Sequence, residues 1–287
     1  MAQQISHLQR HMIEDMRLRN MSPLTQRAYI RSVKNFSAFF RRSPDMLTFE
    51  DVRTYRLHLI ARGASPQTIN QIICALRFFY SVTLRRPETK AEIPLARRAD
   101  VLPVVLAPEE VARFLAAVDN VKYYTAFATV YAAGLRVSEV TALKLTDIDS
   151  ARMVIHVRQG KGSKDRYVML SEQLLAILRA YWRIERPAEW LFPGLDPERP
   201  LTARTLQIAC RLAAQTAGLE KKVTVHTLRH CFATHLLERG VDIRVIQDLL
   251  GHSHITSTAR YARVAINTIR QVQSPLEHLR LAGPPPA

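Results

Sequence analysis

Near the end of this 287-residue chain a tyrosine follows a set of cationic and imidazole groups. Leu249-Leu250-Gly251-His252 opens a run that reaches Tyr261 nine residues after His252, and His226-Thr227-Leu228-Arg229-His230 lies upstream. A phenol is a weak nucleophile at its ordinary pKa of ~10, so it needs neighbours that take its proton or steady the phenolate. Attack by such a group on a phosphodiester would concentrate negative charge on the non-bridging oxygens. Planar, permanently charged guanidinium groups answer that charge well, and Arg136 and Arg229 are of the right type. Covalent cleavage of a nucleic-acid phosphate is the chemistry that these residues suggest.

Charge balance agrees. The chain carries 41 Lys+Arg against 25 Asp+Glu, a formal net charge of +16, and both its first hundred residues and the remainder are basic. That points to a polyanionic partner, double-stranded DNA in the leading reading. No long apolar span or amphipathic anchor supports a membrane partner. The three cysteines, Cys74, Cys210 and Cys231, stand at no metal-ligand or disulfide-framework spacing, which favours a reducing compartment. The first thirty residues lack the compact apolar stretch of a secretion signal, so the expected location is cytoplasmic. Neither a Gly-x4-Gly-Lys-Ser/Thr loop nor a carboxylate cluster suited to a metal-dependent nuclease occurs, so no cofactor and no metal are expected. His226 and His230 are four residues apart and could share a zinc ion, but the metalloprotease glutamate is absent.

The elements that must position these groups fall into two parts. Residues 1–86 read as four helices. Ser22-Pro23 and Ser65-Pro66 are cap-plus-proline starts, Thr48 with Asp51 resembles a capping box, and that third helix should end near Gly63. Tyr29, Val33, Phe36 and Phe40 form one apolar stripe, and Ile69, Ile72, Ile73, Leu76, Phe79 and Tyr80 form another. Residues 87–105, broken by Pro87, Pro94 and Pro103 and rich in Arg and Lys, read as an extended basic linker. Residues 106–281 return to helical patterning, except that the period changes to two at Met153, Ile155 and Val157 and again along Tyr167-Val168-Met169-Leu170. The glycine-rich turn between them predicts a hairpin. Ile266, Ile269, Val272, Leu276 and Leu279 mark a further apolar stripe, and residues 282–287 read as a proline-rich tail.

Taken in order, Gly134-Leu135-Arg136-Val137-Ser138-Glu139, Gly160-Lys161-Gly162, His226-Thr227-Leu228-Arg229-His230, Leu250-Gly251-His252 and Tyr261 resemble the motifs of tyrosine recombinases of the phage integrase and Xer type. The resemblance implies a mainly α fold: an N-terminal four-helix core-binding domain that clamps DNA, and a mostly helical C-terminal catalytic domain with a small antiparallel β-sheet. It implies a site-specific DNA recombinase or integrase, active without ATP or metal, that cuts a strand through a 3′-phosphotyrosyl intermediate and rejoins it to a partner duplex. Tyr261 would be the nucleophile, and Arg136, Arg229 and His252 would bind the scissile phosphate. His226 would transfer protons, Lys161 would protonate the leaving oxygen, and Glu139 and His230 would support them. Lys164 lies in the same turn as Lys161 and is open as an alternative. The resemblance further implies a homo-oligomer on DNA, a tetramer in the synapse, with an accessory or second recombinase protein as a further partner. The segment after Tyr261 would dock on a neighbouring protomer or close its own domain's core, and a link to a mobile element or to DNA integration is expected. The rival readings are DNA relaxation of the type IB topoisomerase kind and a non-catalytic accessory DNA-binding role. Departures from the pattern are Ala107 at a helix start that commonly has Ser or Thr, and Arg260 and Arg263 flanking the tyrosine.

Overall fold

Serine followed by proline starts two of the N-terminal helices. Ser22 and Ser65 each accept the backbone N–H three residues on, and Pro23 and Pro66 take the first helical position, where a missing N–H leaves no bond unmade. The computed structural model describes residues 6–86, 92–97, 102–158, 165–252, 256–259 and 261–262. The chain divides into two units, residues 1–100 and 101–287.

The first unit holds α1 (His7–Leu18), α2 (Pro23–Phe40), α3 (Phe49–Ala61) and α4 (Pro66–Phe78), the last continuing into a π-helical turn, Phe79–Thr83. Thr48 and Asp51 cap α3 reciprocally: the Thr48 hydroxyl accepts the Asp51 N–H, and the Asp51 carboxylate accepts the Thr48 N–H at 2.7 Å. The two predicted apolar stripes meet in a core of Met12, Met16, Phe36, Ile73, Leu76 and Phe79. Tyr80 is buried among them, with its hydroxyl within 3.1 Å of the Pro44 and Leu47 carbonyls. Part of the stretch read as linker is packed on this unit. Ile93 is buried, and the Asn70 side chain grips Ala96 through both its N–H (2.7 Å) and its carbonyl (2.8 Å), the pairing that a neighbouring strand would offer. The packed part of the first unit therefore runs past residue 86, because an apolar residue and an amide partner outweigh the local proline signal.

The second unit runs α5 (Pro108–Ala116), α6 (Val121–Ala133), α7 (Val137–Thr141), β1 (Ile148–Asp149), β2 (Val154–Val157), β3 (Arg166–Met169), α8 (Glu172–Glu185), α9 (Ala203–Thr216), α10 (Val225–Glu238), α11 (Ile243–Leu250) and a short α12 (Thr256–Ala259). The strands form one antiparallel sheet in the order β1-β2-β3, with Ile155 opposite Val168 and both facing the core. Met153 falls just outside β2 in a left-handed conformation (φ 53°), so the alternation read from sequence begins one residue late. The two-residue β1 carried no periodic signal. Residues 125–130 of α6 are all buried, as expected of a helix apolar on every side, and Thr125 and Thr129 satisfy their hydroxyls on the carbonyls four residues back. At the head of α5, Ala107 offers no cap, but its N–H donates to Glu110 at 2.7 Å, so the expected weak start is stiffened from inside the helix. Just before it, Leu106 is buried and gripped at both backbone groups: its N–H donates to Cys231 Sγ at 3.2 Å and its carbonyl accepts from His235 Nε2 at 3.0 Å.

No helix among the described residues is long and apolar enough to cross a membrane. The Gly160–Lys164 turn with Lys161, the apolar stripe after Tyr261 and the proline-rich tail lie outside the described residues.

Candidate active site

Gly134 ends α6 in the left-handed region (φ 63°), and a Cβ there would stand 2.4 Å from the Phe232 ring. Only glycine meets both demands. The turn delivers Arg136 to the position preceding α7, where its backbone N–H donates to Glu139 Oε2 at 2.8 Å and its guanidinium donates to Oε1 at 2.6 Å. The same carboxylate is forked by Arg166, Nη1 to Oε1 at 2.9 Å and Nη2 to Oε2 at 2.8 Å, and lies 3.6 Å from Arg229 Nη1. Glu139 is buried, and burial alone would raise its pKa. The hydrogen bonds and charge of Arg166 and Arg136 outweigh that and hold the carboxyl at about 2. Three guanidiniums thus share one carboxylate, and the cluster is cationic.

Arg229, on the first turns of α10, is fully buried. It donates to the Gly134 carbonyl (Nη1, 2.6 Å) and to the Leu250 carbonyl (Nη2, 2.6 Å), and so ties the end of α6 to the end of α11. Burial first, then the nearby Arg136 charge, lower its pKa to about 10 against the pull of Glu139, which still leaves it charged at neutral pH. Its Nε has no hydrogen-bond partner among the described residues, a burial cost of about 1–3 kcal/mol that the rest of the cluster must offset.

Tyr261 is packed with Phe232, Ala233, Ile246 and Leu250. Its hydroxyl lies 3.1 Å from His230 Nδ1. The ring at the phenol is therefore that of His230, which the sequence placed in a supporting role. His226 is exposed one helical turn away, its ring edge-to-face with His230 at 4.3 Å. Gly251 ends α11 at φ 59°, and His252 follows. The His252 Nε2 faces Arg229 Nη2 at 3.2 Å, its Nδ1 faces Thr258 Oγ1 at 2.9 Å, and its ring stacks near Tyr261. The structure thus brings together Arg136, Glu139, Arg229, His230, His252 and Tyr261, with His226 at the rim. Among the described residues no group of three or more His, Cys, Asp or Glu stands as a metal site.

Beside this cluster runs a groove lined by Arg136, Arg204, Gln207, Arg211, Lys221, Lys222 and His226, with no carboxylate side chain in its lining. Arg204, Gln207 and Arg211 are successive turns of one face of α9.

Residues 104–267 match the phage integrase family, and residues 8–90 match the N-terminal SAM-like domain of phage integrases. The chain belongs to the phage integrase family. A Sinorhizobium fredii protein assigned as an integrase/recombinase, y4qK, is 50% identical over 281 residues, 97% of this chain and 91% of that protein. The tyrosine recombinase XerD of Caulobacter vibrioides is 37% identical over 268 residues, 84% of this chain and 86% of XerD. The mainly helical fold is shared with the Tn1549 transposon integrase in complex with circular intermediate DNA, at a TM-score of 0.68 and 22% identity over 90% of this chain and 98% of that one.

Within this phage integrase chain, one site residue escaped sequence reasoning. Arg166 opens β3, and besides forking Glu139 it donates Nε to the Leu249 carbonyl at 2.8 Å and lies under Gly251, where a Cβ would meet its Cδ at 3.1 Å. The signal available was its place right after the Gly-Lys-Gly turn, which fixes it at the root of the hairpin.

Proposed function

We propose that the protein is a site-specific DNA recombinase that cuts and rejoins strands through a covalent bond between Tyr261 and a DNA 3′-phosphate. The observation that carries this reading is the Tyr261 hydroxyl, held 3.1 Å from an imidazole nitrogen beside a cluster of three guanidiniums and one carboxylate. In the forward step Tyr261 Oη bonds to phosphorus, the 5′-oxygen leaves, and one diester replaces another, so no ATP is consumed. The phenol proton passes to the imidazole pair His230 and His226. Arg136, Arg229 and His252 donate to the non-bridging oxygens, where charge grows most in the transition state. Glu139 holds two of the guanidiniums in place and is no base, since its carboxyl is ionised far below neutral pH. Lys161, with Lys164 as the alternative, supplies the proton to the leaving oxygen. Attack by a 5′-hydroxyl from a partner duplex reverses the step and completes recombination.

The substrate is double-stranded DNA. The acid-free groove beside α9 suits a phosphate backbone, and a transposon integrase of the same fold was solved with DNA. In this reading residues 1–86 form the core-binding clamp, the basic linker follows the backbone, and residues 106–281 catalyse. Four protomers form the synapse, with the segment after Tyr261 docking on a neighbour and an accessory or second recombinase taking part. The setting is the cytoplasm, and the task is integration or movement of a mobile element, in keeping with the integrase/recombinase and transposon names among its relatives.

Covalent capture tests this. Purified protein is incubated with nicked duplexes from a randomised pool, in chelator and without ATP, and DNA that stays attached through denaturation is sequenced. The expected result is an adduct that Tyr261→Phe abolishes while salt-sensitive DNA binding persists. An adduct retained by the Phe variant would remove Tyr261 from its role, and tight binding with no adduct from the wild type would favour a non-catalytic binding protein.

A further inference from the structure

Thr258, in α12, touches two parts of the site at once. Its buried hydroxyl lies 2.9 Å from Nδ1 of His252, and its carbonyl accepts the Tyr261 N–H at 2.9 Å. On the other side of the same imidazole, Nε2 faces Arg229 Nη2 at 3.2 Å. A guanidinium only donates, so this contact requires a lone pair on Nε2. In the neutral ring the proton then sits on Nδ1 and is donated to Thr258 Oγ1.

A phosphate oxygen makes the opposite demand. It only accepts, so His252 can bind it through Nε2 only when that nitrogen carries a proton. The ring meets this demand either by changing tautomer, after which Nδ1 must accept, or by gaining a proton, after which Nδ1 must donate. A hydroxyl rotates to serve as donor or acceptor, so Thr258 satisfies Nδ1 in every one of these states. Arg229 Nη2 keeps its bond to the Leu250 carbonyl throughout, and its second N–H is released toward the same oxygen. Among the described residues, Tyr261 stacks near the ring at 6.4 Å and Arg136 donates to the neighbouring Gly251 carbonyl at 3.3 Å.

We propose that Thr258 is a positioning residue that lets His252 exchange its contact with Arg229 for the scissile phosphate, while its carbonyl keeps the Tyr261 turn in register with that exchange. This rests on the recombinase reading, in which Nε2 of His252 meets phosphate.

The test compares full-length wild type, Thr258→Val and Thr258→Ser on a nicked duplex selected by covalent capture. Val matches Thr in shape but has no hydroxyl, and Ser restores the hydroxyl. Adduct formation by Thr258→Val should slow by roughly 10-fold or more with DNA binding unchanged, and Thr258→Ser should recover most of the rate. Imidazole nitrogen NMR without DNA should show a changed His252 tautomer balance in Thr258→Val alone. Wild-type cleavage by the Val variant would overturn the proposal. So would equal slowing of both variants with unchanged His252 resonances, since packing of the methyl group would then account for the loss. A wild type that forms no Tyr261-dependent adduct would overturn the recombinase reading instead, and the imidazole resonances would still decide whether Thr258 controls the ring.

Discussion

Two histidines five residues apart on α10 do different work. His230 presents Nδ1 to the Tyr261 phenol at 3.1 Å. His235, further along the helix, is buried with both nitrogens committed: Nε2–H donates to the Leu106 carbonyl, and Nδ1 accepts the Tyr131 hydroxyl proton at 2.9 Å. Burial lowers the pKa of His235 and raises that of Tyr131, so neither partner gives up its state near neutral pH. A carbonyl that cannot titrate makes His235 an anchor, whereas His230 faces a hydroxyl that has a proton to give. Residue type and helix position are shared, and the partner decides.

The largest effect should come from the carboxylate shared by Arg136, Arg166 and Arg229. Glu139→Gln breaks a buried ion cluster and should cost about 3–5 kcal/mol of stability, read as a lowered urea midpoint. The folded carboxyl sits at about 2, below its ordinary unfolded value near ~4.3, so its contribution is fully present above ~4.3 and lost as pH falls toward 2. Acid unfolding of the wild type should show that leg, and the Gln variant should lack it. Next, Arg229→Ala should raise the cleavage barrier by about 3 kcal/mol in single-turnover adduct formation, with some loss of stability because the Gly134 and Leu250 carbonyls lose their donor. The comparison itself is sharpened by His230→Gln, which should slow adduct formation about 100-fold, against His235→Gln, which should leave the rate unchanged. Equal losses would break it. The smallest effect is in stability alone. His235 resists protonation in the folded state, so its contribution is present above its unfolded pKa of ~6.5 and lost as pH falls below it, and His235→Gln should flatten that part of the stability curve.

What could be read from the sequence was mostly local. The caps at Ser22, Thr48 and Ser65 depend on groups three residues away, and each forms as expected. The order of the motifs from Gly134 to Tyr261 carried the family, though not which imidazole meets the phenol. That choice depends on how α10 faces the Tyr261 turn after α12, a matter of tertiary packing. Arg166 was silent for the same reason: its partners, Glu139 and Leu249, are 27 and 83 residues away. Leu106 read only as the first residue after a charged linker, and only the fold supplies Cys231 and His235 to hold it. Lys161 and the segment after Tyr261 remain expectations from the motif pattern, outside the described residues.

Gly134 has a bearing on genetics. A Cβ at this position would strike Phe232 and displace the carbonyl that Arg229 grips, so Gly134→Ala should inactivate the protein as thoroughly as loss of an arginine, though glycine has no group to offer a phosphate. A screen for recombination-dead alleles should therefore return Gly134 beside Arg136 and Arg229. Loss of function there would mark a spatial tolerance of the backbone and would not add a member to the reacting set.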